Sequence, residues 1–272
     1  MNGAIAMAWR EVSGNWLYVP QSPRAIIHFL GGAFVAAAPN VTYKLLLEAL
    51  GQRGYVIVAT PFINTFDHKA IAHEVLVTFD QARYYLENRV ILKRLPIYGL
   101  GHSMGCKVHL LINSLYEVER AGNMFMAFNN FSARRSIPLL DQMMAFTPVK
   151  EAMTSMEFTP SPEETLDLID RYYPVERNLL IKFRKDDLDQ TRPLHEVLYH
   201  HFAELTTVQI LPGTHTTPMA QDLSWQPGQQ FSALDAIGQF VKQEFTRDLR
   251  QLEDALLMWL NPLGAMRSRR DR

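Results

Sequence analysis

The chain predicts an α/β fold built on a doubly wound, mostly parallel sheet. Three observations carry this expectation. Six short apolar runs alternate with longer amphipathic stretches. The runs are almost continuously hydrophobic, as strands covered on both faces are. At 272 residues, with 47% apolar and 20% charged, the chain has the length and composition of one large globular domain spanning residues 1–272.

The elements follow in order. The opening WREVSGNWLYVP reads as an antiparallel hairpin, turning at Gly14-Asn15 and added to one edge of the sheet. AIIHFL (25–30) is the first buried strand. NVTYKLLLEALGQRG (40–54) is an amphipathic helix, with Asn40 as its cap and Gly51 or Gly54 as its stop. YVIVATPF (55–62) is the second strand, and DHKAIAHEVLVTFDQARYYLENRV (67–90) a long helix. There, Asp67 either caps that helix or lines a pocket together with His68. LPIYGL (95–100) is a strand and SMGCKVHLLINSLYEVER (103–120) the helix behind it. MFMAFN (124–129), NLLIKF (178–183) and TVQIL (207–211) complete the strands. PLHEVLYHHFAEL (193–205) is a helix whose three histidines face solvent or packing. The final helix covers 229–260 and is expected to break near its middle.

Residues 131–175 interrupt the alternation. They hold no clear strand and are too long for a plain connection. Ser161-Pro162-Glu163-Glu164 is a good helix start, with proline at the first helical position and acids in the first turn. The segment reads as a helical lid inserted after the fourth apolar strand. Residues 264–272, GAMRSRRDR, form a basic tail. It is either a frayed, solvated end or a weak contact for anionic lipid or a partner.

Charge and cysteine usage narrow the function. With 27 basic and 28 acidic side chains, the chain lacks the basic excess of a nucleic-acid binder. A lone cysteine, Cys106, excludes an intrachain disulfide and fits a reducing compartment. The N-terminus has no basic n-region followed by a long apolar run, so no secretory leader is expected. No apolar run reaches the length of a membrane span, about 18 residues or more. A cytoplasmic protein is expected, with peripheral membrane contact through the tail as the variant reading.

The chemistry centres on Gly101-His102-Ser103-Met104-Gly105. A G-x-S-x-G pattern gains weight between a strand and a helix, because its serine then stands on a sharp elbow at the helix N-terminus. A serine hydroxyl is a poor nucleophile near neutral pH, so it needs a base, a group orienting that base, and oxyanion donors. His215, in ILPGTHTTPM after the last strand, is the candidate base. It lies on the rim where open α/β sheets gather their catalytic groups. Asp187 is the preferred orienting acid, with Asp186 and Asp189 in the same RKDDLDQT loop as alternatives. The order serine, acid, histidine is the one such folds use. Asn129 and Asn130 stand where another acid would sit, but an amide cannot stabilise an imidazolium by charge. The backbone amides of Gly32, Ala33 and Met104 are the candidate oxyanion donors. His109 is expected to be structural, and His102 to point away from the serine while still flanking the pocket. No cofactor or metal is expected, since G-x-G-x-x-G and the Walker lysine pattern are both absent.

Taken together, these stretches resemble the α/β-hydrolase superfamily over nearly the whole chain. HFLGGAFVAAAPNVTYKLLLEAL, GYVIVATPF, TFDH, GHSMGCKVH and LPGTHTTP are similar to a narrower group, the domain of unknown function 1350 family of cyanobacteria and plastids. The resemblance implies an α/β-hydrolase fold with a serine elbow, and carries Ser103 and His215 over by motif. The chain departs from typical members in two places. Leu30-Gly31 replaces the usual His-Gly, and Phe183-Arg184-Lys185 replaces a glycine turn before the acid.

A serine ester hydrolase working through an acyl-enzyme is the expected function. Its substrate would be a small-molecule or lipid-like ester, with Phe34, His102, Met143, Met144 and Met153 as pocket residues. Methionine-rich surfaces adapt to irregular apolar shapes, although the same residues would also serve to pack a lid onto the core. An acyltransferase with the same triad and a non-catalytic scaffold on the same fold are the alternatives.

Overall fold

The computed structural model describes residues 8–33, 35–133, 157–219 and 233–262. The sheet has eight strands in the order β1-β2-β4-β3-β5-β6-β7-β8. β1 (Arg10–Val12) and β2 (Asn15–Tyr18) form the expected edge hairpin, and β2 pairs antiparallel with β4 (Tyr55–Ala59). All later pairings, from β3 (Ala25–Leu30) through β5 (Ile97–His102), β6 (Gly122–Met126), β7 (Asn178–Lys185) and β8 (Thr206–Thr214), are parallel. The hairpin turns one residue earlier than expected. Ser13 and Gly14 take φ of 50° and 75°, the pair of positive angles that suits a two-residue turn to the strand twist. Asn15 instead begins β2, with its side chain donating to Thr78 O at 2.8 Å.

Helices cover both faces because successive strand residues point to opposite sides. On one face, α2 (Lys44–Gln52), after the short α1 (Pro39–Thr42), contributes Leu46, Leu47 and Leu50 to the same core as Ile27, Phe29 and Ile57. The last helix, Ala233–Leu260, adds Leu252 and Leu256 to that core. On the other face lie α3 (His68–Tyr85) and α4 (Met104–Leu115). Asp67 caps α3, its carboxylate accepting from the Ala70 N–H at 2.9 Å, so the capping alternative holds. Asn40 falls inside α1, whose cap is Ala38. The last helix is continuous over its described length, with no break.

Most of the segment expected as a lid, residues 134–156, lies outside the described residues. Its C-terminal end joins the helical layer. Ser161 and Glu164 form a reciprocal capping box at the start of α5 (Pro162–Tyr172). Ile169 and Tyr173 then pack with Cys106 and Leu110 of α4 and with Leu194 and Leu198 of α6 (Thr191–Phe202). This end is therefore part of the layer over the sheet rather than of a separate lid. No described helix is long and apolar enough to cross a membrane. The basic tail lies outside the described residues.

Candidate active site

The elbow is built by elimination of space. β5 ends at His102 and α4 begins at Met104, which leaves Ser103 alone to reverse the chain. Ser103 takes φ 53° and ψ −119°, a conformation that costs a non-glycine residue about 1–3 kcal/mol. Its N–H donates to Met126 O at 2.9 Å, which fixes the turn to β6. Both flanking glycines are required. A Cβ on Gly101 would lie 2.7 Å from Cys106 Cα, and one on Gly105 would lie 2.2 Å from Leu30 O. Ser103 occupies the cap position of α4, yet its side chain makes no capping bond.

The hydroxyl turns to His215 instead, with Oγ 3.0 Å from Nε2. The other ring nitrogen, Nδ1, is 2.9 Å from Asp186 Oδ2. A carboxylate only accepts, so the proton of the neutral ring sits on Nδ1. Nε2 is left with a lone pair facing the serine. Asp186 is wholly buried while the His215 side chain keeps 17% of its surface. Burial alone would raise the Asp186 carboxyl. The bond and charge of His215, with the Leu188 N–H at 2.9 Å, outweigh burial and hold it below the ordinary carboxylate value.

The acid facing His215 is therefore Asp186, not the expected Asp187. β7 runs two residues past the expected end, to Lys185, with an irregular register after Phe183. Asp186 is the first residue beyond it and turns inward, whereas Asp187 is exposed. Asp189 is committed elsewhere. It pairs with Lys182 at 3.0 Å and accepts from Thr191 N and Oγ1 at 3.0 and 2.7 Å, starting α6. Asn129 and Asn130 tie the end of β6 to its surroundings, donating to Leu188 O and Pro162 O.

Behind the serine lies a second chain of bonds. His102 is 1% exposed, so it does not line a pocket. Its Nε2 is 2.9 Å from His215 O and its Nδ1 is 2.7 Å from Tyr43 Oη. A carbonyl oxygen only accepts, so Nε2 carries the proton and Nδ1 accepts from the Tyr43 hydroxyl. Burial, together with the nearby His215, pulls the His102 pKa down to about 3, keeping the ring neutral. Tyr43 Oη in turn accepts the Gly32 N–H at 2.9 Å.

That last bond changes the expected oxyanion donors. The Gly32 N–H is engaged by Tyr43, although its Cα stands close enough that an added Cβ would lie 3.4 Å from Ser103 Cβ. Ala33 and Met104 keep their candidate positions, one on the loop after β3 and one in the first turn of α4. Phe34, Met143, Met144 and Met153 lie outside the described residues. His109 is fully buried with Nε2 3.1 Å from His28 O, as a structural histidine should be. Tyr43 carries no motif that marks it in the sequence. It lies 59 residues from His102, within an amphipathic helical pattern that disguises a hydroxyl with two partners as ordinary core.

The arrangement has solved relatives in shape. An esterase of Pyrococcus furiosus superposes with a TM-score of 0.52 at 14% identity, over 86% of this chain and 83% of that one. The α/β hydrolase GrgF from Penicillium sp. sh18 gives 0.51 at 14% identity, over 87% and 94%. The peroxisomal α/β-hydrolase Lpx1 of Saccharomyces cerevisiae gives 0.52 at 11% identity, over 84% and 88%. At these identities the likeness is one of fold, and the fold is that of the α/β-hydrolases. No curated protein matches the chain. The family described as "Protein of unknown function (DUF1350)" matches residues 8–262. That match begins ahead of β1 and ends beyond the last helix, leaving no described strand or helix core outside it, and the chain belongs to the DUF1350 family.

Proposed function

We propose that the protein is a serine hydrolase that cleaves carboxylic esters through an acyl-enzyme. The observation supporting this most is the line Ser103 Oγ, His215, Asp186, with spacings of 3.0 and 2.9 Å. His215 Nε2 takes the hydroxyl proton as Ser103 Oγ attacks the ester carbonyl carbon. The N–H groups of Ala33 and Met104 receive the developing oxyanion. Asp186 stabilises the imidazolium, which passes its proton to the leaving alkoxide. Water then attacks the acyl-serine by the same base, releasing the acid and restoring the hydroxyl. The esterase neighbour from Pyrococcus furiosus is in keeping with this chemistry.

The test is labelling by a fluorophosphonate, which reports an activated serine without knowledge of the substrate. Wild type is expected to label and Ser103→Ala not to. Folded wild type that fails to label, or equal labelling of both, overturns the proposal. A series of p-nitrophenyl esters of increasing acyl length then reads the preference for apolar substrates.

A further inference from the structure

Outside the Ser103 network, α5 and α6 bring two histidines and an aspartate together. Asp170, His200 and His201 each offer one donor atom, and the three atoms lie within 4.8 Å of one another. His201 Nε2 is 2.8 Å from Asp170 Oδ1. The His200 and His201 rings stand edge-on, with centroids 4.8 Å apart. All three residues are exposed, so an ion and its waters have access.

The platform beneath them is fixed. Ile169, beside Asp170, and Leu198, one helical turn before His201, are both 1% exposed. Phe202 packs on Tyr173 with ring centroids 6.4 Å apart. Side chains carried on packed helices hold a ligand set better than side chains on loops.

The separations suit a small ion. Metal bonds of about 2.0–2.2 Å in tetrahedral geometry place ligand atoms roughly 3.3–3.5 Å apart. The spacings here, from 2.8 to 4.8 Å, bracket that value, and exposed side chains can close the difference by small rotations. Two imidazoles and one carboxylate favour a borderline transition ion over calcium or magnesium, which prefer all-oxygen shells.

We propose that Asp170, His200 and His201 bind a divalent ion of the zinc class, with water completing its shell. The ion would cross-link α5, which starts just after the segment at 157–160, to α6, which follows the Asp186 loop. Its role is a clamp on the helical layer, and the proposal stands apart from the hydrolase reading.

Calorimetric titration of tag-free, chelator-stripped full-length protein with Zn²⁺, paired with thermal melts, tests this. Wild type is expected to bind one equivalent and to melt higher with zinc. Asp170→Asn, His200→Ala and His201→Ala should each weaken binding by about tenfold or more and remove the zinc-dependent rise in Tm. His195→Ala, on the same helix but outside the cluster, should change neither. Far-UV circular dichroism establishes that the exposed substitutions leave the fold intact. No binding by wild type, or equal zinc affinity in wild type and the His200→Ala/His201→Ala double variant, overturns the proposal.

Discussion

Replacing Asp186 and Asp187 separately by asparagine distinguishes two neighbours that look alike in the chain. The two Asp186 oxygens accept from His215 Nδ1 and from the Leu188 N–H, each at 2.9 Å. Asparagine offers one oxygen and one amino group in the same volume. Either the Leu188 N–H then faces another donor, or the imidazole moves its proton to Nε2. In the second case Nε2 can no longer accept from Ser103. The charge that would stabilise the imidazolium is lost in both cases. An asparagine in this position of a serine triad lowers kcat by about 10⁴-fold in a well-studied protease, equivalent to roughly 5 kcal/mol of barrier. A loss of similar order is expected for Asp186→Asn. Exposed Asp187, which does not face His215, should tolerate asparagine with little change. The assay is the pseudo-first-order rate of fluorophosphonate labelling, followed by p-nitrophenyl butyrate hydrolysis. Equal losses in the two variants, or the larger loss at Asp187, refute the assignment of Asp186.

Three other outcomes are expected. Tyr43→Phe leaves the Gly32 N–H and His102 Nδ1 without partners, at about 1–3 kcal/mol for each buried group; a calorimetric Tm equal to wild type would contradict the bonding described. Gly105→Ala drives a Cβ to 2.2 Å from a backbone oxygen and should lower stability by about 3 kcal/mol or more, read by denaturant unfolding, whereas a well-folded, labelling-competent variant would count against the elbow geometry. His68, His102 and His109 are held at about 3, against an ordinary 6.5, chiefly by burial. Between those values the unfolded chain binds protons that the folded one does not, so stability falls as pH drops through that window. A Tm that stays constant from about pH 7 to about pH 4 would contradict this sign.

Much of the frame was legible because its signals are local. Near-continuous apolar runs marked the parallel strands, and AIIHFL matched β3 residue for residue. The Ser161–Glu164 start of α5 followed from capping chemistry four residues long. Ser103 and His215 were legible as candidates because each sits at a strand end, where position in the chain predicts position on the rim. The acid was not legible. Three aspartates in four positions share one composition, and only the extra length of β7 decides which turns inward. Tyr43 and the Gly32 N–H were hidden for a different reason. Their bond depends on the turn between α1 and α2 meeting the loop after β3, and no short pattern encodes that meeting.

The bonds from Gly32 through Tyr43 and His102 to the carbonyl of His215 carry a consequence for engineering. The loop after β3 and the loop after β8 look like separate parts that could be exchanged with those of other proteins of the α/β-hydrolase fold. Here they share one brace. Moved into another scaffold of this fold, the β3 loop would arrive without a tyrosine to meet it, and the His215 loop without an imidazole beneath its backbone. Transplants at either position are expected to succeed only when Tyr43 and His102 are treated as part of the cassette. The unit of exchange in this scaffold is larger than the loop.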